Sequence, residues 1–321
     1  MTTDERGAVD GTENLINAAE GVISHFQKRK ETARECLVAL AGVSEVCFAL
    51  SGLTLHGGVY EFAGLGTLRE VRQPPGEIEL AGALENKGLL SAVARHMPSV
   101  THELAVLHGA SNDLQGLLDT GWRIISALRC RSVADLLVPA VASVSWDAIP
   151  AVERDSCKVQ LLEDVPAARR LGEVVAVSRD ELDWVHKHLA VWIELLERPA
   201  FRLAVDCLTT HHHQANLRMS AAALWAGFEG IFGINSELRF RLAALAASFL
   251  EDRGPGRVAL YRRIKLLYDY RSKAVHGAAT KDALLEEHII EVRALLSRLM
   301  CRMTEAGTLP SVDEFEERLF T

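Results

Sequence analysis

The sequence predicts an α+β N-terminal domain over residues 1–172, followed by an all-α helical bundle over residues 173–321. Glycine and proline turns between β-rich runs are typical of the first half. From Ser178 onward, apolar residues recur with the period of an α-helix. A length of 321 residues also favours two domains over one.

Local signals define the elements of the first half. A helical pattern covers roughly residues 13–40. A β-hairpin is predicted next, because Val46–Leu55 and Val59–Val71 are β-rich and His56-Gly57-Gly58 supplies a tight turn between them. After the turn at Pro74-Pro75-Gly76, three elements are predicted: a strand at Glu77–Leu84, a helix at Asn112–Arg131 and a short strand at Val159–Leu162.

The second half begins with a helix start signal. Ser178 followed three residues later by Glu181 fits a capping box. Pro199 suits the first turn of a helix, and Arg253-Gly254-Pro255-Gly256 separates two helical patterns. Helices are predicted near residues 179–197, 199–212, 214–233, 236–252, 257–276 and 281–304.

Composition limits the functional classes. The formal net charge of −8 excludes a generally basic nucleic-acid coat, so any contact with RNA must come from a local basic patch. Six cysteines without a CxxC pair argue against a zinc ribbon or a disulfide framework and suit a reducing cytosol. The polar N-terminus does not resemble a signal peptide, and the 11-residue apolar run Leu136–Trp146 is too short to span a bilayer. We therefore expect a cytoplasmic protein with no membrane partner.

The most informative residues are Arg271 and His276. Arginine is a permanent cation whose fork fits a phosphate, and histidine can move protons near neutral pH. Between residues 251 and 281, eight Lys or Arg and three acids give 8 − 3 = +5. Such a patch suits a phosphate backbone, although a solvated helix face has the same composition.

The spacing of this pair constrains its geometry. Gly277 is expected to end the helix, which places His276 in the last turn, where the helix dipole favours its protonated form. Five residues rotate by about 140° on an ideal helix, so Arg271 and His276 do not share one stripe. They converge only if the helix bends or if two copies of the chain face each other, which suggests a dimeric site.

Three stretches, Leu267–Gly277, Leu224–Gly233 and Phe240–Ala243, resemble the HEPN superfamily and in particular its Apea-like branch. The shared features are an acidic residue before an apolar turn and a later YxxRxxxxHG ending. The resemblance covers roughly residues 180–305. It implies a helical bundle that forms a homodimer through the motif helices and, in many members, metal-independent endoribonuclease activity in toxin–antitoxin or phage-defence systems.

The resemblance also implies roles for individual residues. Arg271 would stabilise the scissile phosphate and His276 would act as general acid or base, with the ribose 2′-hydroxyl as nucleophile and no metal or cofactor. Glu229 would orient either residue, although a structural ion pair with Arg271 is an equal alternative. Lys273, Tyr270 and Arg263 are candidate substrate contacts. Asp269 is expected to pair with Lys273 four residues on.

Two other functions stay open at the level of sequence. Some HEPN domains are non-catalytic modules for dimerisation or nucleic-acid binding, and a helical scaffold with a chance motif is a third interpretation. Ala278 stands where HEPN toxins paired with nucleotidyltransferase antitoxins carry a tyrosine. This difference argues against regulation by modification there, while another antitoxin or a trigger protein remains a possible partner.

The His211-His212-His213 run is a weak candidate for a metal site. Adjacent helical residues point in different directions, so a real site would need ligands from elsewhere. An exposed polar helix start is the simpler expectation. The N-terminal half shows no catalytic signature.

Overall fold

A computed structural model describes residues 20–21, 23–36, 38, 45–55, 58–111, 113–133, 135–164, 175–214, 216–234, 236–275 and 282–320. The chain divides into two compact units. The first unit contains residues 1–51, 63–117 and 138–164, and the second contains residues 52–62, 118–137 and 165–321. The predicted fold class is confirmed, because a mixed α/β region with an antiparallel sheet precedes an all-helical region.

The strands are β1 Glu45–Leu50, β2 Leu53–Leu55, β3 Val59–Phe62, β4 Gly66–Glu70, β5 His102–Leu107, β6 Ala140–Ala142, β7 Val159–Leu161 and β8 Val175–Val177. The helices are α1 over residues 23–36, α2 Glu77–Ala83, α3 Leu90–His96, α4 Leu114–Ser132, α5 Arg179–Leu196, α6 Pro199–Thr210, α7 Leu217–Phe232, α8 Leu238–Leu250, α9 Pro255–Val275, α10 Asp282–Ala306 and α11 Val312–Phe320.

In the first unit, strands lie in the order β4-β5-β1-β6-β7, and all of these neighbours are antiparallel. Every residue of β1 is buried, as expected for a central strand. The register of β1 and β5 places Glu45 opposite Leu107 and Leu50 opposite His102. Because Glu45 and Glu103 lie on these two central strands, the sheet carries carboxylates into its interior.

Two predictions for the first half are wrong. The β-hairpin does not form, because β1 pairs with β5 and β6, and β2 pairs in parallel with β8. His56 and Gly57 of its predicted turn lie outside the described residues. The predicted strand at Glu77–Leu84 is helix α2 instead. Acidic residues in its first turn suit a helix N-terminus, and the Glu79 carboxylate accepts a hydrogen bond from Gly76 N at 2.7 Å.

The other elements of the first half agree with the sequence patterns. Helix α4 corresponds to the predicted helix at Asn112–Arg131, and β7 corresponds to the predicted strand at Val159–Leu162. Within the pattern over residues 13–40, residues 23–36 are helical.

Each of the six helices predicted for the second half is present. The capping box at the start of α5 forms as expected: Ser178 N donates to the Glu181 carboxylate at 2.8 Å, and Glu181 N donates to Ser178 Oγ at 3.3 Å. Helix α7 ends at Gly233, whose φ of 60° is left-handed, a conformation that glycine adopts at little cost.

A further helix, α11, was missed. Phe315 of α11 is fully buried, with its ring 4.8 Å from that of Phe232 and 5.5 Å from that of Phe249. Ser311 and Glu314 cap this helix reciprocally, which is the same signal that marks the start of α5.

The helices that matter for the site pack around α7, which contacts α6, α9 and α10. Trp225 of α7 is fully buried, and its ring lies 5.3 Å from Phe228 and 5.2 Å from Tyr268 of α9. Aromatic packing therefore fixes α9 against α7 next to Arg271. No helix in the described ranges is both long and apolar enough to cross a membrane.

Candidate active site

The fold brings together two of the three predicted catalytic residues. Glu229 lies near the end of α7 and Arg271 near the end of α9. Nη2 of Arg271 lies 3.5 Å from Oε1 of Glu229, and the two side chains are 21% and 22% exposed. They therefore form a partly buried ion pair across two helices, 42 positions apart in sequence (271 − 229).

The ion pair is incompletely hydrogen-bonded. Among the described residues, Nε of Arg271 and Oε1 of Glu229 are buried atoms with no hydrogen-bond partner. Buried polar atoms in native proteins are nearly always satisfied, so each exception calls for an explanation. A bound ligand that accepts from the guanidinium would supply one.

Tyr268 forms one wall beside this pair. The guanidinium carbon of Arg271 lies 5.6 Å from the centroid of the Tyr268 ring, within the range of a cation–π contact. Burial raises the pKa of the Tyr268 hydroxyl, and the nearby Glu229 carboxylate raises it further. Tyr268 is therefore a neutral aromatic surface at physiological pH, and it restricts the orientation of Arg271.

A second polar group lies between α9 and α10. Trp225 Nε1 donates to Nε2 of His288 at 3.0 Å, so Nδ1 of His288 carries the proton when the ring is neutral. The rings of Tyr270 and His288 are 5.0 Å apart. Within the described part of the chain, the Tyr270 hydroxyl and His288 Nδ1 are also buried without a hydrogen-bond partner.

Burial lowers the pKa of His288 to about 4. The nearby Glu291 carboxylate raises this pKa, but the effect of burial is larger. His288 is therefore neutral at pH 7. The sequence analysis missed this residue, because its pairing with Trp225 depends on how α7 and α10 pack. The ring of Tyr270, a predicted substrate contact, faces His288.

The remaining predicted substrate contacts lie on the outer part of α9. Arg263 makes a two-pronged ion pair with Glu291, in which Nε donates to Oε1 at 2.6 Å, and this pairing partly neutralises the basic patch. Lys273 is exposed. The expected pairing of Asp269 with Lys273 is wrong, since Arg239 donates to both carboxylate oxygens, at 2.5 and 2.6 Å.

Arg239 contacts Asp269 in the folded chain, although the two residues are 30 positions apart in sequence. Its hydrogen bonds lower the pKa of Asp269, and Lys273 contributes at longer range. The third predicted catalytic residue, His276, lies outside the described residues, as do Gly277 and Ala278. Helix α9 is described as far as Val275.

A second partly buried arginine lies in the first unit, where the sequence shows no catalytic signature. Arg69 donates to both Glu45 and Glu103, with Nε 2.6 Å from Oε1 of Glu103. Glu103 also accepts from Ser145 Oγ and from Trp146 N, each at 2.7 Å. Burial raises the pKa of Glu103, although Arg69 opposes it. The carboxylates of this cluster are already engaged by the guanidinium.

The expectation of an exposed helix start at His211–His213 is wrong. These residues form a tight turn directly after α6, and His211 and His212 are buried. Asp135 lies close to both. Among the described residues, these three form one of two possible metal-ligand clusters, and the other consists of Glu45, Cys47 and Glu103.

The comparisons with known proteins do not identify the chain: no model of a known family, no curated protein and no solved structure matches it.

Proposed function

We propose that this protein is a metal-independent endoribonuclease of the HEPN type that acts as a homodimer. Arg271 would bind the scissile phosphate, Glu229 would orient Arg271, and His276 would transfer a proton. In this reaction the ribose 2′-oxygen forms a bond to phosphorus while the bond from phosphorus to the 5′-oxygen breaks. A base removes the 2′-hydroxyl proton and an acid protonates the leaving 5′-oxygen, leaving a 2′,3′-cyclic phosphate.

The observation that carries the proposal is the unsatisfied pairing of Arg271. Glu229 lies close enough to set the position of the guanidinium, but the 3.5 Å separation makes no hydrogen bond. A phosphate oxygen would supply the missing acceptor for Nε. Because the guanidinium is already positioned, it can stabilise charge that grows on the phosphate in the transition state.

The surrounding groups suit the same ligand. Tyr268 offers an aromatic face beside the guanidinium, and exposed Lys273 adds positive charge two residues further along α9. Single-stranded RNA combines phosphate charge with bases that stack on aromatic rings. No step of this mechanism requires a metal ion or a cofactor.

The setting follows from the HEPN resemblance alone. We place the enzyme in the cytoplasm, in phage defence or toxin-like growth control, where an antitoxin or a trigger protein would restrain or release it. The mixed α/β region would then recognise the trigger, restrain the nuclease or set the geometry of the homodimer.

The test is RNA cleavage in EDTA, comparing the wild type with His276→Ala and analysing the product ends. We expect cleavage by the wild type alone, with 2′,3′-cyclic phosphate ends. His186→Ala is a matched control, since Arg179 and His186 also place an arginine before a histidine but lie on α5, which is not one of the motif helices. Equal cleavage by the His276→Ala protein would exclude the proposed role of this histidine.

A non-catalytic dimerisation or nucleic-acid-binding module is the alternative function. It is favoured by exposed apolar side chains on α8 and α9, namely Phe240, Val258 and Leu266. Under this alternative, Arg271→Ala weakens the dimer in sedimentation experiments, and no RNA is cut by the folded wild-type dimer.

A further inference from the structure

The turn after α6 buries two histidines beside a carboxylate. His211 is 1% exposed and His212 is 3% exposed, and Asp135, from the segment after α4, is also buried. One ligand atom from each of these three residues lies within 4.8 Å of the other two. We infer that Asp135, His211 and His212 form a structural binding site for a divalent transition-metal ion of the Zn²⁺ type.

Hydrogen bonding fixes the tautomer of His211 that a metal requires. Nδ1 of His211 lies 2.7 Å from the carbonyl oxygen of Leu208, which can only accept, so Nδ1 carries the proton. Nε2 then presents a lone pair. Metal-binding histidines commonly hold their second nitrogen in this way, by donating to a backbone carbonyl.

The lone pair of His211 faces the carboxylate of Asp135. Nε2 lies 3.8 Å from Oδ1 of Asp135, and two acceptors this close repel unless positive charge lies between them. A metal ion bound by both atoms would supply that positive charge.

His212 resembles His211 in having a buried Nε2 without a hydrogen-bond partner among the described residues. Two unpartnered imidazole nitrogens beside one carboxylate are a ligand set rather than an ordinary core arrangement.

The donor atoms select the class of ion. Two imidazoles and one carboxylate suit Zn²⁺ and its neighbours, whereas Mg²⁺ and Ca²⁺ prefer oxygen alone. Zn²⁺ bonds of about 2.0–2.1 Å place ligand atoms roughly 3.4 Å apart in a tetrahedron. Binding would therefore draw the three donor atoms together by up to roughly 1.4 Å, from the 4.8 Å limit to about 3.4 Å, and a water molecule can take the fourth position.

Two arginines modulate the site. Arg293 donates to Oδ1 of Asp135 and holds the carboxylate in place, as outer-shell partners of metal ligands do. Arg129 donates to the carbonyl oxygen of Leu136 at 2.6 Å, adjacent in sequence to Asp135. The positive charges of Arg293 and Arg129 repel a metal ion, so we expect weaker metal binding than in a zinc finger. Without an ion, the same residues would form only a buried Arg–Asp–His network.

The experiment measures metal content in the full chain. The protein is stripped with EDTA, incubated with excess ZnCl₂, desalted and analysed for zinc by mass spectrometry. We expect about one zinc per wild-type chain, and below about 0.2 in His211→Gln and His212→Gln. His108→Gln is the matched control, since His108 is exposed and distant in sequence from the cluster. MgCl₂ in place of ZnCl₂ should leave no bound metal.

Two results would overturn the inference: a wild-type protein that retains no zinc, or variants that retain as much as the wild type. Saturating Zn²⁺ should also raise the wild-type Tm by roughly 5–10 °C and leave the variants unchanged. If the variants fail to fold, X-ray absorption of the zinc-loaded wild type decides. Two imidazoles in the zinc shell support the site, while sulfur ligands or no imidazole contradict it.

This inference is independent of the proposed nuclease. Its readouts are metal content, stability and zinc coordination, none of which requires RNA cleavage. An inactive protein that binds zinc through these residues would refute the proposed function alone, and an active one that binds none would refute the metal site alone.

Discussion

Arg69 in the first unit and Arg271 in the second are both arginines held against glutamate, but their hydrogen bonding differs. Arg69 donates to two carboxylates, Glu45 and Glu103, and Glu103 is further satisfied by a hydroxyl and a backbone N–H. Arg271 has a single carboxylate 3.5 Å away and a buried Nε without a partner among the described residues.

The difference separates a structural role from a functional one. A buried charge that is fully paired is a closed network, and removing one partner leaves the others unpaired at a high cost. A positioned charge with spare hydrogen-bonding capacity can take a ligand without first breaking an internal bond. Arg69 is therefore expected to serve stability, whereas the proposed function gives Arg271 a role in binding.

The largest effect on stability is expected for Arg69→Met. It leaves the carboxylates of Glu45 and Glu103 buried without their cation, so we expect a loss of about 3–5 kcal/mol in the free energy of unfolding. Urea denaturation followed by circular dichroism gives the value, and hydrogen exchange of β1 and β5 localises it. Arg95→Met is the control, because its pair with Asp164 is exposed and such pairs contribute about 0–1 kcal/mol. Equal losses in both variants would remove the distinction.

The next largest effect on stability is expected for His288. Its Nδ1, like Nε of Arg271, is buried without a hydrogen-bond partner among the described residues. Its folded-state pKa of about 4 lies below the unfolded value, so the unfolded chain binds the extra proton between these values. Stability from this group is present above about pH 6.5 and is lost as pH falls towards 4, by about 3 kcal/mol in total.

His288→Gln isolates this contribution, because glutamine keeps an acceptor for Trp225 Nε1 but does not titrate. Urea midpoints measured from pH 7 to pH 4 should fall less steeply for this variant than for the wild type. The exposed His108→Gln should follow the wild-type profile. Identical profiles for His288→Gln and the wild type would contradict the lowered pKa.

A smaller effect tests the helix that positions Glu229. A Cβ at Gly227 would lie 2.9 Å from Cys207 Cβ and 3.2 Å from Ala204 Cα, so Gly227→Ala should cost about 1–3 kcal/mol by overpacking α7 against α6. Gly230→Ala meets only the flexible end of Leu203 and gains helix propensity, so its change should stay within about 1 kcal/mol. Thermal unfolding of the two variants measures the contrast, and equal destabilisation would show that α6 does not restrict α7 at Gly227.

The smallest stability effect is expected for Glu229→Gln. No hydrogen bond to Oε1 is lost, so the free energy of unfolding should change by less than about 1 kcal/mol, while RNA cleavage should fall because Arg271 loses its orienting charge. Parallel urea denaturation and cleavage assays measure both. A loss of several kcal/mol would mean that Glu229 serves Arg271 as Glu103 serves Arg69.

Local signals in the sequence were sufficient for most helices. The helical patterns of α7 and α9 place Glu229 and Arg271 on separate helices, and the capping box at Ser178 marks the start of the helical region. The same capping signal, Ser311 followed by Glu314, precedes helix α11, which the sequence analysis did not predict. Helix ends are visible in sequence because their hydrogen bonds close within a few residues.

Features that depend on distant partners were not visible. The pairing of β1 with β5 and β6, rather than with the next strand, is set by which surfaces can be buried together. Asp135 reaches His211 only because the segment after α4 lies beside the turn after α6, and folding buries two of the three histidines, His211 and His212. The alternation of apolar and polar residues and the positions of turn residues do not predict such long-range contacts.

The most direct test of the distinction between the two arginines is RNA cleavage in EDTA by wild type and Arg271→Ala, with unfolding midpoints measured on the same samples. The account predicts that Arg271→Ala loses at least about 100-fold in cleavage rate, as expected when a positioned donor to the transition state is removed, while its midpoint stays near the wild-type value. Cleavage at the wild-type rate by folded Arg271→Ala protein would contradict it.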